Sequence, residues 1–242
     1  MNVEIIMPLH DIDTPKKWAF FEETCYCLSR SGVPVHIYAD NTVQVRDQNN
    51  PFDLIKKYGF ILTENAPDTE WGKVTWAYAQ SKEKYVAICH ADDFWIERKM
   101  EYQMKYIHDA AMVLSSYIVH EPFHIKNEIQ KGCVRIDTPQ IHSKYGIYFA
   151  MPSMWLLNKT KIPEMVIPFK AATAIDLAVA LTNCQYGTVF VVRKPLLIWN
   201  DHLENGTHKF SVSNTVDCED ALQKLEGYAK TLPQPNLKYV WE

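Results

Sequence analysis

Glycine is scarce, with 8 in 242 residues. A glycine-rich loop that cradles phosphate on bare backbone is therefore not expected, and no G-x-x-x-x-G-K-[S/T] pattern occurs. H-E-x-x-H and G-x-S-x-G are missing too, which excludes the commonest zinc protease and serine hydrolase signatures. The six cysteines (25, 27, 89, 133, 184 and 218) include no C-x-x-C pair. That spacing argues against a zinc site and for free thiols in a reducing cytoplasm. Cys25 and Cys27 fall two apart in a helical pattern and should point to different faces. No run approaches the roughly 18 apolar residues that span a bilayer. The opening Met1 to Pro8 lacks the charged start and long apolar core of a signal peptide. A soluble, cytoplasmic chain is the expectation.

Strong positive charge is also lacking. The net charge is −4, whereas binding nucleic acid by charge alone usually requires a basic domain. The charge is uneven, however. Residues 1–118 hold 12 basic and 17 acidic side chains, and residues 119–242 hold 13 and 12. Within 141–200, Lys144, Lys159, Lys161, Lys170, Arg193 and Lys194 face only Glu164 and Asp176. Ordinary surface scatter accounts for this, and a mildly basic acceptor face is the sharper reading.

What is present is core material: 47% hydrophobic and 12% aromatic residues. The apolar runs are short and separated by helical patterns. Val3 to Pro8 predicts a buried strand ended by Pro8. Asp13-Thr14-Pro15 predicts a capped helix running through Trp18, Phe21 and Leu28 to Gly32. Val33 to Ala39 is a second strand, and Asn50-Pro51 starts a helix that stops at Gly59. Phe60 to Leu62 is a third strand, Trp71 to Ser81 a helix, and Tyr85 to Cys89 a fourth strand. Ile96 to Ile107 predicts a helix and Met112 to Val119 a strand. Beyond a loop-like 120–145, a helix is expected over Ala171 to Asn183. Short strands are expected at Val189–Val192 and Leu196–Trp199, and a closing helix at Asp217 to Leu232.

Alternating strands and helices imply a parallel sheet with crossover helices. Ligands of such sheets bind beyond the carboxyl ends of the strands. The segments that matter are then Leu9-His10-Asp11, Asp40-Asn41, Glu64-Asn65 and His90-Ala91-Asp92-Asp93. Asp92 and Asp93 directly follow an apolar strand. Carboxylates are hard oxygen ligands of the kind Mg²⁺ or Mn²⁺ prefers on a diphosphate. Asp40 could accept from a ribose hydroxyl or a base N–H, or be a turn aspartate. Asp176, in an apolar stretch, is a candidate general base or a helix N-terminal acid favoured by the dipole. His202 could hold a metal or phosphate, or simply be solvated.

Taken in order, these segments resemble the inverting family-two glycosyltransferases of the GT-A fold over about residues 1–210. Ile5-Ile6-Met7-Pro8-Leu9-His10 resembles the first strand and its proline turn. Asp40 is similar to the nucleoside-binding aspartate. Asn65 through Gly72-Lys73 resembles the stretch that contacts the base. Tyr85 to Trp95, with Glu97-Arg98-Lys99-Met100, resembles the strand, metal-binding aspartates, tryptophan and following helix. Met151 to Trp155 resembles the acceptor-side segment. Ile175 to Leu181, Gly187 and Lys194-Pro195-Leu196 resemble the catalytic-base helix and the strands after it. His202 falls where the family often has a histidine. The departures are His90, where many members have an aspartate, and Ile175, where an acid often precedes the base.

The resemblance implies an α/β fold of the Rossmann-like GT-A type: a mostly parallel sheet flanked by helices, with a small mixed acceptor-side region. It implies one domain over 1–242. Residues 1–118 would bind a nucleotide-sugar, 119–210 the acceptor, and 211–242 would form a helix and tail. The donor, a UDP-sugar by expectation, would lie near Leu9, His10 and Lys73 with Asp40 on the nucleoside. Asp93, with Asp92 and His202, would bind Mn²⁺ or Mg²⁺. Asp176 would deprotonate an acceptor hydroxyl in a single inverting displacement. A glycan or other hydroxyl is the expected acceptor. A modified base in DNA, a nucleotide-sugar-binding domain without transfer, and a nucleotidyltransferase are the alternatives. Trp95 and Trp155 could stack on sugars or belong to the core.

Overall fold

The computed structural model describes residues 2–10, 12–43, 50–120, 136–137, 151–169, 175–200 and 215–240. Asp11, His202, most of the 120–145 segment and the expected start of the helix at Ala171 lie outside them. Among the described residues, ten strands form one sheet. These are β1 (Val3–Leu9), β2 (Val35–Ala39), β3 (Ile61–Thr63), β4 (Tyr85–Ile88), β5 (Phe94–Trp95), β6 (Met112–His120), β7 (Ile136–Asp137), β8 (Leu156–Asn158), β9 (Val189–Asn200) and β10 (Leu237–Val240). The spatial order is β10-β9-β6-β8-β4-β1-β2-β3, with β5 paired to β9 and β7 to β6. Among the described residues six α-helices pack around it: α1 (Pro15–Ser29), α2 (Pro51–Lys57), α3 (Glu70–Gln80), α4 (Lys99–Met104), α5 (Ile175–Asn183) and α6 (Thr215–Thr231).

The N-terminal half follows its local signals. Thr14 caps α1 by accepting from the Lys17 N–H at 3.2 Å, with Pro15 in the first turn. Asn50 does the same for α2 at Phe52, and Thr69 for α3 at Gly72. Gly32 and Gly59 end their helices at φ +67° and +69°, a backbone region that costs side-chain-bearing residues energy. Strands β1, β2, β3 and β4 pair in parallel. Ile5, Ile6, Met7, Val86, Ala87 and Ile88 are fully buried, as expected for a sheet covered on both faces. Cys25 is buried, Cys27 is half-buried, and neither is in a disulfide.

Three expectations need correction. Pro8 does not end β1; it pairs with Tyr38 inside the strand. The Ile6 carbonyl faces β4, accepting from Cys89 N, so by alternation the missing Pro8 N–H faces that side too. There the β1–β4 ladder stops at Ile6 and Ile88, and no bond is lost. The helix expected over 96–107 is only Lys99–Met104, because Phe94–Trp95 pairs with β9 and Arg98 takes a left-handed turn at φ +68°. The two short strands at 189–199 are one strand carrying register shifts near Pro195. Pro195 sits at these irregularities in the β6–β9 pairing, where a residue without an N–H is tolerated. As expected, the sheet is mostly parallel with a mixed part, where β8 runs antiparallel between β4 and β6.

Candidate active site

The carboxyl ends of β1, β2 and β4 open on one edge of the sheet, and the first turn of α3 reaches the same edge. The first cluster centres on Lys73, which is fully buried. Its ammonium pairs with Asp40 Oδ2 and lies 2.9 Å from His10 Nδ1. His10 Nδ1 is itself 3.3 Å from Asp40 Oδ2. The other Asp40 oxygen accepts from Thr42 N at 2.8 Å. Burial works to raise the Asp40 pKa, but the bonds from Lys73 and Thr42 prevail and hold it below the usual carboxylate value. Burial and the Lys73 charge lower that of His10. Leu9, fully buried, ends β1 beneath this cluster. Asn65 sits beyond β3 at φ +60°. The next residue, Ala66, donates to Ala39 O at 3.0 Å and ties that loop to the end of β2.

The second cluster is the loop after β4. One ligand atom each from His90, Asp92 and Asp93 lies within 4.8 Å of the others. Asp93 is buried. Burial first, then the charge of Asp92, push its pKa up to about 7. His90 Nε2 lies 3.0 Å from Glu70 Oε1 of α3, and His90 Nδ1 lies 4.0 Å from Asp93 Oδ2. Burial opposes a charged His90 ring, but Glu70, Asp93 and Asp92 outweigh it and raise its pKa to about 10. The loop is pinned from three sides. Thr24 of α1 donates to Ala91 O at 3.0 Å and to Asp93 O at 3.3 Å. Ser153 accepts from His90 N at 2.9 Å. Asn200, at the end of β9, donates its side-chain amide to Asp92 O.

Asp176 joins from the first turn of α5. The Trp71 indole N–H donates to its Oδ1 at 3.0 Å. Burial and the neighbouring Glu70 charge raise its pKa to about 6. His10, Asp40, Lys73, Asp92, Asp93 and Asp176 thus gather around the start of α3, with Leu9 below. Glu70 and Trp71, which link the clusters, were not singled out from the sequence. An acid in a first helical turn beside a threonine cap reads as helix-end chemistry. Trp155 is fully buried, 6.0 Å from the Trp71 ring, and Trp95 is buried under Lys99. Both tryptophans are core.

No protein-family model and no curated protein matches the chain. Solved structures do. TarS of S. aureus in complex with UDP-GlcNAc superposes with a TM-score of 0.66 at 14% identity, over 95% of this chain and 66% of that one. The mannosyltransferase PcManGT of Pyrobaculum calidifontis, in complex with GDP-Man and Mn²⁺, gives 0.57 at 12% identity, over 92% and 64%. Glucosyl-3-phosphoglycerate synthase of Mycobacterium tuberculosis, with Mn²⁺, UDP and phosphoglyceric acid, gives 0.52 at 8%, over 92% and 78%. What this chain shares with them is the GT-A-like α/β fold. This chain spans just under two thirds of the TarS and PcManGT chains.

Proposed function

We propose that the protein is a metal-dependent, inverting glycosyltransferase that takes a sugar from a UDP-sugar and places it on an acceptor hydroxyl. The observation that carries this reading is the convergence of the His90–Asp92–Asp93 cluster with Asp176 at one sheet edge. The fold likeness to proteins solved with UDP-GlcNAc, GDP-Man, UDP and Mn²⁺ supports it.

The donor set fits a hard divalent cation. It offers two carboxylates and an imidazole, with Asp93 buried and His90 and Asp92 partly exposed, and burial together with the Asp92 charge pushes the Asp93 pKa up. Asp92 and Asp93 would hold Mn²⁺ or Mg²⁺, with His202 as the further ligand implied by the family resemblance. Bound there, the cation supplies Lewis-acid neutralisation of the departing diphosphate. Leu9, His10, Asp40, Asn65 and Lys73 form the nucleoside side. There the buried Asp40–Lys73 pair sets the position of His10, which remains partly exposed. Asp176 is the base. Trp71 holds one carboxylate oxygen, and a pKa of about 6 leaves the group mostly ionised at neutral pH yet basic enough to take a hydroxyl proton. Attack opposite the leaving group inverts the anomeric carbon. The acceptor class we favour is a glycan.

The test is the heat of binding of a panel of nucleoside diphosphates, with and without Mn²⁺, to wild type and Asp93→Ala. Mn²⁺-dependent binding of UDP that Asp93→Ala loses is the expected result. Absence of binding by any nucleotide would end the glycosyltransferase reading.

A further inference from the structure

Glu70 belongs to no part of the scheme above, yet it pairs with His90 and lies close enough to Asp176 to raise its pKa. It sits in the first turn of α3, and its side chain is 42% exposed. It lies 3.0 Å from His90 Nε2. That N–H is not aimed squarely at the oxygen, so the contact is an ion pair and not a well-formed hydrogen bond. On the other side of the ring, His90 Nδ1 and Asp93 Oδ2 stand 4.0 Å apart. A direct hydrogen bond would be shorter. Two ligands of an octahedral cation with bonds of roughly 2.1 Å stand about 3 Å apart when adjacent and about 4.2 Å apart when opposite. The gap between Nδ1 and Asp93 is therefore of ligand-to-ligand size.

The main chain is fixed at the same point. His90 N donates to Ser153 Oγ at 2.9 Å, and Ser153 also bonds Asp93. With the backbone held, the remaining freedom of His90 is the rotation of its ring. Among the described residues, the carboxylate of another element in ion-pair contact with that ring is Glu70.

We propose that Glu70 is a positioning residue of the cation site: its ion pair with Nε2 holds the His90 ring so that Nδ1 faces Asp93 and serves as a cation ligand. A carboxylate on the far nitrogen of a ligating histidine is a general way to set ring orientation and tautomer. The inference rests on the cation site of the proposed function. It fixes which His90 nitrogen faces the cation and assigns Glu70 a role through that ring.

The experiment titrates Mn²⁺ into the full chain, alone and with UDP present, following the heat and the Mn²⁺ electron paramagnetic resonance signal. Four proteins are compared with wild type: Asp93→Ala, His90→Ala, Glu70→Gln and the double variant His90→Ala/Glu70→Gln. Glu70→Gln keeps the shape of a partly exposed side chain, and its melting temperature reports folding. Loss of an outer partner of this kind weakens a metal site roughly 10- to 100-fold. Glu70→Gln should weaken Mn²⁺ by that factor, and the double variant should bind no worse than His90→Ala, because Glu70 acts through the ring. Wild-type affinity in Glu70→Gln, alongside lost binding in Asp93→Ala, would overturn the role of Glu70 and leave the cation site standing. An equal loss from Glu70→Gln in the His90→Ala background would overturn it as well. Failure of wild type to bind Mn²⁺ in either condition would remove the cation site itself, and this inference with it.

Discussion

The indole N–H of Trp71 donates to Asp176 Oδ1 at 3.0 Å, joining residues 105 apart in the chain. Trp71 lies in the first turn of α3 and Asp176 in the first turn of α5. The proposed base is thus oriented by the helix that also carries Glu70 and Lys73. Asp176→Asn should lower kcat for transfer roughly 10²- to 10⁴-fold while leaving UDP affinity unchanged by calorimetry. Trp71→Phe should lower kcat less and keep the same affinity.

The same carboxyl sets a pH limb. Its pKa is raised to about 6, first by burial and then by Glu70. A base must be ionised to act, so kcat should fall as pH drops through about 6 and level off above it. A rate profile from acid to neutral pH checks this. In Asp176→Asn the limb should vanish with the activity.

Asp93 titrates higher, at about 7, because burial and Asp92 disfavour its charge. A proton and a cation then compete for it. Below that value Asp93 should add up to roughly tenfold per pH unit to the loss of Mn²⁺ affinity that the His90 proton, held to about pH 10, already imposes, measured by titration at several pH values. In the cation-free protein the linkage runs the other way. The native state holds a proton that the unfolded chain releases above the ordinary value of 3.8. Stability from this group therefore rises as pH falls from about 7 toward 3.8.

Asp40 and Lys73 form a buried ion pair that neither partner can leave without stranding the other. Lys73→Met should cost about 3–5 kcal/mol in urea unfolding, and the double change Asp40→Asn/Lys73→Met should cost less than the sum of the single changes. The folded Asp40 pKa lies below its ordinary 3.8, since the Lys73 and Thr42 bonds outweigh the effect of burial. The stabilisation is present above that pH and is lost as pH falls through the depressed folded value.

Gly72 follows Trp71, and a methyl group there would stand 2.6 Å from Thr69 Oγ1 and 3.0 Å from Pro67 Cβ. Gly72→Ala must displace the Thr69 cap of α3, a loss of about 0.5–2 kcal/mol. Because Glu70 and Trp71 sit in that same turn, transfer activity should drop further than the stability change explains. Thermal melting and kcat, measured side by side, check it.

Much of the fold is legible locally. Thr14-Pro15, Asn50-Pro51, Gly32 and Gly59 mark helix ends through caps and positive φ, which depend on near neighbours alone. The apolar runs of β1, β2 and β4 followed by Leu9-His10, Asp40 and Asp92-Asp93 place the site at the strand ends, since a parallel sheet brings its carboxyl ends together. The sequence by itself therefore determined the alternating α/β order and the position of Asp40, Asp92 and Asp93 just beyond their strands. Tertiary structure alone decided the rest. The strand pairing of Phe94–Trp95 and the unbroken run of β9 through Pro195 depend on partners about a hundred residues away in one case and about eighty in the other. No local pattern told whether Asp40 would be free or paired, because Lys73 reaches it only once α3 packs on the sheet. Glu70 carries no local signal beyond a first-turn acid, and only packing sets it against His90. Local signals act over a few bonds, whereas a charge pair forms between groups that only the folded chain brings within a few ångströms.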